Sequence, residues 1–254
     1  MDNKIYNISV QYDTNNPIVS WEIYPGAIKY NLLRGTTIDN LEIFKSGLEV
    51  SQIRDETVAV SSTKKENRTT IYYDVEAVLL DNSTVRYNNP TFYTPKIDYP
   101  YKGVIEEIKR RHRIMLSIGA EECTIYIKKT FGMQCPKCWN KFAGNTEAAA
   151  PLCSTCFNTG FSGGYHKFIT KLMIRDAPDS YIETPFGIKK ESVGKQGWLS
   201  SYPLIHSGDL IVEPNGDRWA VDTAKIKEFK NIVTLQVANI VFLESSHPFY
   251  QINL

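Results

Sequence analysis

Four of the chain's five cysteines fall in one stretch, CPKCWNKFAGNTEAAAPLCSTC, as two CxxC pairs separated by fourteen residues. Two residues between cysteines let a tight turn aim both sulfurs at one centre, and two such turns meeting make a closed tetrahedral site with metal–sulfur bonds of about 2.3 Å. Cys135, Cys138, Cys153 and Cys156 are therefore the expected ligands of one metal ion. With all four used, no coordination position is left for water or substrate, and the ion reads as structural zinc. An iron–sulfur centre, a redox pair and unrelated free thiols are the alternatives. A thioredoxin-like pair needs its CxxC at a helix N-terminus in a βαβ setting, which neither pair has. The N-terminus, MDNKIYNISVQYD, shows no apolar leader, so the chain reads as kept in a reducing cytosol, where paired cysteines favour metal over disulfide. Cys123 lies on an alternating stretch and reads as an inert buried thiol, while Trp139 and Phe157 are expected to pack around the metal.

At 254 residues the chain is long enough for two compact domains, and 42% hydrophobic with 22% charged residues is an ordinary globular composition. A net charge of +1 gives no global field toward nucleic acid or anionic membrane. No run approaches the ~18 apolar residues of a membrane span.

The fold class expected is mainly β, in two domains. Residues 1–98 read as short strands: Val19, Trp21 and Ile23 alternate with Ile18, Ser20 and Glu22, a Pro25-Gly26 turn follows, and the chain returns through Tyr30 and Leu32 as a β pair. A second hairpin puts Ile71, Tyr73, Val75 and Ala77 on one face, turns at Asp81-Asn82 and returns through Val85 and Tyr87. Trp21 followed by PGA and KYNLLRGTT, then the IYYDVEAV strand, resembles a fibronectin type III module, which implies a β-sandwich with the Trp and the later Tyr packed between two sheets. Such a module spaces or docks other domains.

Pro90, Pro95 and Pro100 mark a stiff border near residue 99. The second domain, 99–254, is expected to open with an amphipathic helix over about 101–118, its stripe Val104, Ile105, Ile108, Met115 and Leu116, with Lys109, Arg110, Arg111 and Arg113 on the rest of the circumference. Alternation through Cys123, Ile125 and Ile127, and again through Phe168, Thr170, Leu172 and Ile174, makes the cysteine segment, 131–165, a zinc-knuckle insertion between two strands of a barrel-like sheet. Residues 177–202 carry few periodic signals and read as a long loop. Strands through Leu210 and Val212, through Trp219 and Val221, and from Ile232 to Leu243 close the domain.

Catalytic patterns are missing. His112, His166, His206 and His247 stand in no HExxH-like constellation, there is no GxSxG, and Asp176 with Asp179 and Asp209 with Glu213 are carboxylate pairs by count only. GFSGGY supplies turn glycines but lacks the GK[ST] of a phosphate loop. The expectation is a protein that is not an enzyme and has no small-molecule substrate. Lys109, Arg110, Arg111 and Arg113 could neutralise phosphates, pair with a neighbouring subunit, or form a solvated face. Only Lys137 and Lys141 are basic between the knuckles, which weakens a direct nucleic-acid reader.

The order of basic amphipathic helix, IYIKKTFG strand, QCPKCWN, spacer, CSTCFNTGFSGGY and a β-rich tail with GDLIVEPNGDRWAV resembles tailed-bacteriophage virion proteins of the head-to-tail neck. The resemblance spans residue 101 to the end. It implies a non-enzymatic connector ring subunit in the neck or tail region of a virion, assembled in the host cytoplasm, whose partners are copies of itself and portal or other neck proteins, with no membrane. The alternatives are a zinc-ribbon nucleic-acid-binding regulator using the basic cluster and a carbohydrate-directed accessory protein carrying the fibronectin-like module.

Overall fold

The computed structural model describes residues 5–12, 16–58, 70–93, 102–138, 153–176, 180–184, 187–191, 195–229 and 232–251. Pro95, Pro100, Trp139, Lys141 and Asp179 lie outside the described residues. The chain forms two compact units, one of Met1–Val104, Lys129–Gly164 and Lys230–Ile232, the other of Ile105–Lys128, Tyr165–Phe229 and Val233–Leu254. The cysteine segment, expected with the second domain, thus groups with the first.

In the first unit β1 (Ile8–Tyr12), β2 (Pro17–Trp21) and β5 (Gln52–Arg54) form one antiparallel set, with β2 in the middle. The facing sheet orders β4 (Glu42–Leu48), β3 (Ala27–Gly35), β6 (Ile71–Leu79) and β7 (Thr84–Arg86), and β8 (Thr91–Tyr93) pairs with β6. The sandwich expected for the front of the chain is present. Tyr73, Val75 and Ala77, the alternating face of β6, are fully buried between the sheets, and Ala77 pairs with Val85 across the turn at Asn82. One pairing differs from expectation: Trp21 and Tyr30 are not on a hairpin. The Pro25-Gly26 turn carries the chain from one sheet to the other, because β2 is already paired on both edges by β1 and β5. Trp21 therefore meets Tyr30 across the core, edge-on at 5.6 Å between ring centres.

The sandwich core also holds a carboxylate. Asp55 is fully buried and accepts hydrogen bonds from Arg34 Nη1 (2.8 Å), Tyr73 Oη (2.8 Å) and the Thr57 N–H (3.0 Å). Burial pushes its pKa up, but these donors outweigh it and hold the carboxyl below its ordinary value.

The second unit begins with α1 (Lys102–Gly119), followed by β9 (Glu121–Lys128), β10 (Tyr165–Asp176), β11 (Ser180–Thr184), β12 (Gly187–Glu191), β13 (Lys195–Leu199), β14 (Leu210–Val212), β15 (Arg218–Phe229) and β16 (Ile232–Phe242). β13, β10, β9, β14, β15 and β16 are neighbours in that order, and β13 pairs back onto β16, so six strands close a barrel with no open edge. Its interior is filled by Cys123, Ile125 and Ile127 from β9, Phe168 and Leu172 from β10, Ile211 from β14, and Trp219 and Val221 from β15. On β14 it is Ile211, between the expected Leu210 and Val212, that enters this core. The described residues of 177–202, expected as a long loop, are largely strand. They hold the β11–β12 hairpin and β13, whose strands are five residues each, too short for their alternation to stand out in sequence. Gln236, fully buried, donates to the Ser200 and Pro203 carbonyls (both 2.8 Å) and accepts from the Ile205 N–H (3.1 Å), so the segment before β14 is pinned with every Gln236 polar atom engaged.

Asp209 closes the corner where β9 ends. It is 1% exposed, and its carboxylate accepts from the backbone N–H of Lys128 (2.8 Å) and of His206 (2.7 Å). Burial pushes its pKa up to about 6 against the pull of those N–H groups. Because the folded value lies above the ordinary 3.8, the native state holds the extra proton between the two, and stability falls as pH rises through that window. The whole difference is worth at most about 3 kcal/mol. The native protein should accordingly lose urea resistance relative to Asp209→Asn between about pH 4 and about pH 7. Parallel pH profiles for the two proteins would refute the assignment.

Helix α1 departs from its expected faces at two residues: Val104, expected on the packed stripe, is 49% exposed, and Lys109 is buried. Ile108, Met115 and Leu116 are half-buried as expected, but Lys109 lies on the same side and is 8% exposed, bound to Glu106 at 3.1 Å. Its long apolar stem lets a lysine sit on a packed face. His112 Nδ1 lies 3.3 Å from the Thr234 carbonyl oxygen, which ties the helix to β16. Among the described residues no helix is long and apolar enough to cross a membrane.

Candidate metal centre

The last residue of β9, Lys128, pairs with the first of β10, Tyr165, so residues 129–164 stand where a hairpin turn would. The two cysteine turns are built from backbone hydrogen bonds. The Cys138 N–H donates to the Cys135 carbonyl (3.3 Å), and the Phe157 N–H to the Cys153 carbonyl (2.8 Å). The Cys135 N–H donates to the Gly160 carbonyl (2.9 Å) and the Ser162 N–H to the Met133 carbonyl (2.8 Å), which lay one turn against the other. After Cys156 the chain reverses through Phe157 (φ 47°) and Asn158 (φ 64°), closed by the Thr159 N–H on the Cys156 carbonyl at 2.9 Å. Two successive left-handed residues are the signature of a type I′ turn, and a phenylalanine in the first of them is held there by its surroundings.

This framework gathers the four expected sulfurs. The Sγ atoms of Cys135, Cys138, Cys153 and Cys156 all lie within 4.8 Å of one another, and Cys135 Sγ is 3.8 Å from Cys153 Sγ. A disulfide requires about 2.05 Å. A regular tetrahedron with metal–sulfur bonds of about 2.3 Å has sulfur–sulfur edges of about 3.8 Å. The cluster therefore fits a single tetrahedral thiolate-bound ion. Cys135 and Cys156 are fully buried, Cys153 is 8% exposed, and Cys138 is half-buried. Burial pushes the Cys153 thiol up, but donation from the Cys138 thiol and from the backbone N–H of Thr155 and Cys156 outweighs it and brings the pKa down to about 6. Backbone dipoles aimed at sulfur favour the anion, the form that binds metal. Cys123 is elsewhere, in the barrel core, its thiol pushed up to about 11 by burial.

Sequence reasoning missed what anchors this segment. Phe131 is 5% exposed and belongs to the sandwich core, its ring 4.9 Å from that of Tyr30. Lys129 Nζ donates to the Ser162 carbonyl (3.1 Å) and reaches Glu49 at 3.5 Å. Phe131, four residues ahead of the first CxxC, is the signal that could have found the anchor. Gly164 closes the segment: it has φ 63°, and a Cβ there would lie 2.9 Å from both the Cys156 carbonyl oxygen and Phe157 Cδ2. Gly164→Ala is expected to cost at least about 2 kcal/mol and to release the metal at lower chelator concentration, whereas the same change at Gly26, where a Cβ meets nothing, costs only its backbone strain.

The remaining expected residues do not converge here. Arg110 and Arg111 both bind Glu107, at 2.8 Å each, and Lys109 binds Glu106. Asp209 is held by backbone N–H groups, Asp176 is exposed, and His247 Nδ1 accepts the Phe249 N–H at 3.3 Å.

No protein-family model matches the chain, and no curated protein matches it. Among solved structures, an Fn3-like protein from Clostridium thermocellum is similar over 37% of this chain and 93% of its own length, at 21% identity and a TM-score of 0.29.

Proposed function

We propose that the chain is a structural subunit of a tailed-bacteriophage virion, a neck or head-to-tail connector ring protein held in shape by one structural zinc ion and acting without catalysis. The observation that carries the reading is the closed set of four sulfurs around one point, which fills a tetrahedron and leaves no position for a reactant. Zinc suits an all-thiolate tetrahedral site, and Cys135, Cys138, Cys153 and Cys156 would hold it. Bound there, it would cross-link the two cysteine turns. The linked CPKCW and CSTCFNTGFSGGY elements carry the resemblance to neck proteins. The ring is built from copies of the chain stacked beside portal or other neck components, and the sandwich serves as an accessory docking module.

The runner-up, a zinc-ribbon nucleic-acid binder, loses support from the helix cations. Three of the four are engaged by carboxylates of their own helix. Elemental analysis of natively purified protein should find stoichiometric zinc, and electron microscopy of particles or of the purified protein with portal should place it in a ring. Protein that is metal-free, or that stays monomeric and binds no portal or neck component, ends the proposal. DNA binding that weakens steeply with salt would instead revive the runner-up.

A further inference from the structure

Two exposed surfaces of the second unit are complementary to each other. The first is the outward face of α1. The helix turns Ile108, Lys109, His112, Met115 and Leu116 toward the protein, yet Ile114 (41% exposed) and Ile118 (83% exposed), one turn apart, form a second apolar patch on the opposite side. Beside it stand Arg110 and Arg111, with side chains 61% and 74% exposed; both share the single carboxylate of Glu107, which leaves the trio a net charge of +1. From Glu106 to Arg113 the helix carries four cations against two carboxylates, a local charge of +2 in a chain whose total is only +1.

The second surface is an open cleft of about 590 Å³ between the β14–β15 turn and the end of β16. Phe242, 47% exposed, and Tyr250 supply its apolar wall. Asp217 and Glu244 supply its charge, and no lysine or arginine lines it. Arg218 stands behind that wall, its guanidinium 4.6 Å from the centre of the Tyr250 ring and donating to the Phe249 carbonyl, without itself lining the cleft. Asp217 is positioned by Asn215, whose Nδ2 donates to it at 2.9 Å.

An apolar pair flanked by cations on one element, and an aromatic wall flanked by carboxylates on another, are complementary in both hydrophobic and electrostatic terms. We infer that the Ile114–Ile118 face of α1 of one copy docks into the Phe242–Tyr250 cleft of the next. Each copy offers one knob and one cleft, so the contact is head-to-tail, the kind that builds a ring when its rotation closes. The inference rests on the ring reading above and assigns that ring its contact.

The test is a charge exchange on the full metal-loaded chain, read by sedimentation velocity over a concentration series. Wild type should self-associate, and more weakly as salt rises. R110E/R111E gives an acidic knob with an acidic cleft, and D217K/E244K gives a basic knob with a basic cleft. Each alone should associate at least about tenfold more weakly than wild type. Mixed, their knobs and clefts match in both directions, and association should return. Ile118→Ser, at an almost fully exposed position, should weaken assembly without touching any charge or the fold. If the exchanged variants assemble like wild type, or the mixture fails to restore assembly, this contact is wrong while the ring reading stands. Wild type that stays monomeric throughout overturns both, and loss of monomeric behaviour only upon adding DNA would assign the helix face to nucleic acid instead.

Discussion

Cys156→Ser should empty the metal centre and unfold the segment around it while leaving the barrel intact. Cys156 is fully buried, and its carbonyl anchors the turn through Phe157 and Asn158 by accepting from the Thr159 N–H and from Thr159 Oγ1 at 2.7 Å. Serine offers a hard, protonated oxygen where a soft thiolate is needed, and the three remaining sulfurs cannot close a tetrahedron. A structural zinc supplies about 10–16 kcal/mol of apparent folding energy to small zinc domains. The loss should therefore far exceed the roughly 1 kcal/mol of an average substitution. Chelator dialysis should strip the variant at concentrations the native protein resists. Amide exchange should accelerate across 129–138 and 153–164 but not along β9, whose Cys123, Ile125 and Ile127 belong to a separate core. A variant that keeps stoichiometric metal would show that the coordination set has been misassigned.

Tyr30→Ala is the second large effect, with an expected loss of about 3–5 kcal/mol in urea denaturation. Tyr30 is fully buried and is touched by three rings, Trp21 at 5.6 Å, Phe131 at 4.9 Å and Tyr87 at 6.4 Å, while its hydroxyl accepts the Tyr24 N–H at 2.8 Å. Truncation leaves a cavity in the middle of the sandwich and removes the aromatic seat of the cysteine segment. Tyr30→Phe keeps the seat and loses only the hydroxyl's hydrogen bond, about 1 kcal/mol. The contrast separates anchoring from hydrogen bonding: the alanine variant should also release metal more readily, and the phenylalanine variant should not. Equal metal retention in both would mean that Phe131 does not hold the segment in place.

What could be read from the chain, and what could not, divides along the range of the forces involved. The metal ligands were legible because two-residue spacing sets both sulfurs of a turn by local geometry alone. Strands such as Ile71–Leu79 and Glu121–Lys128 were legible because one buried face imposes a period of two. Trp21 was read correctly as core but given the wrong strand neighbour. A Pro-Gly turn looks the same whether the chain returns to its own sheet or crosses to the other, and which happens depends on β1 and β5, far away in sequence. Lys109 reads from the sequence as one of four cations off the apolar stripe, because periodicity counts its charge and not the long apolar stem that lets it pack. Asp55 carried no signal at all: only the folded chain brings Arg34 and Tyr73 to it.

The interleaving of the two units has a consequence for how such a chain can be rearranged. A module that begins and ends within one continuous stretch can be moved between genes as a cassette. Here the front sandwich borrows Phe131 from a stretch lying between two barrel strands, so residues 1–98 taken alone would carry an unfilled aromatic socket at Tyr30. Recombination could transplant the front module cleanly only together with the cysteine segment that completes it.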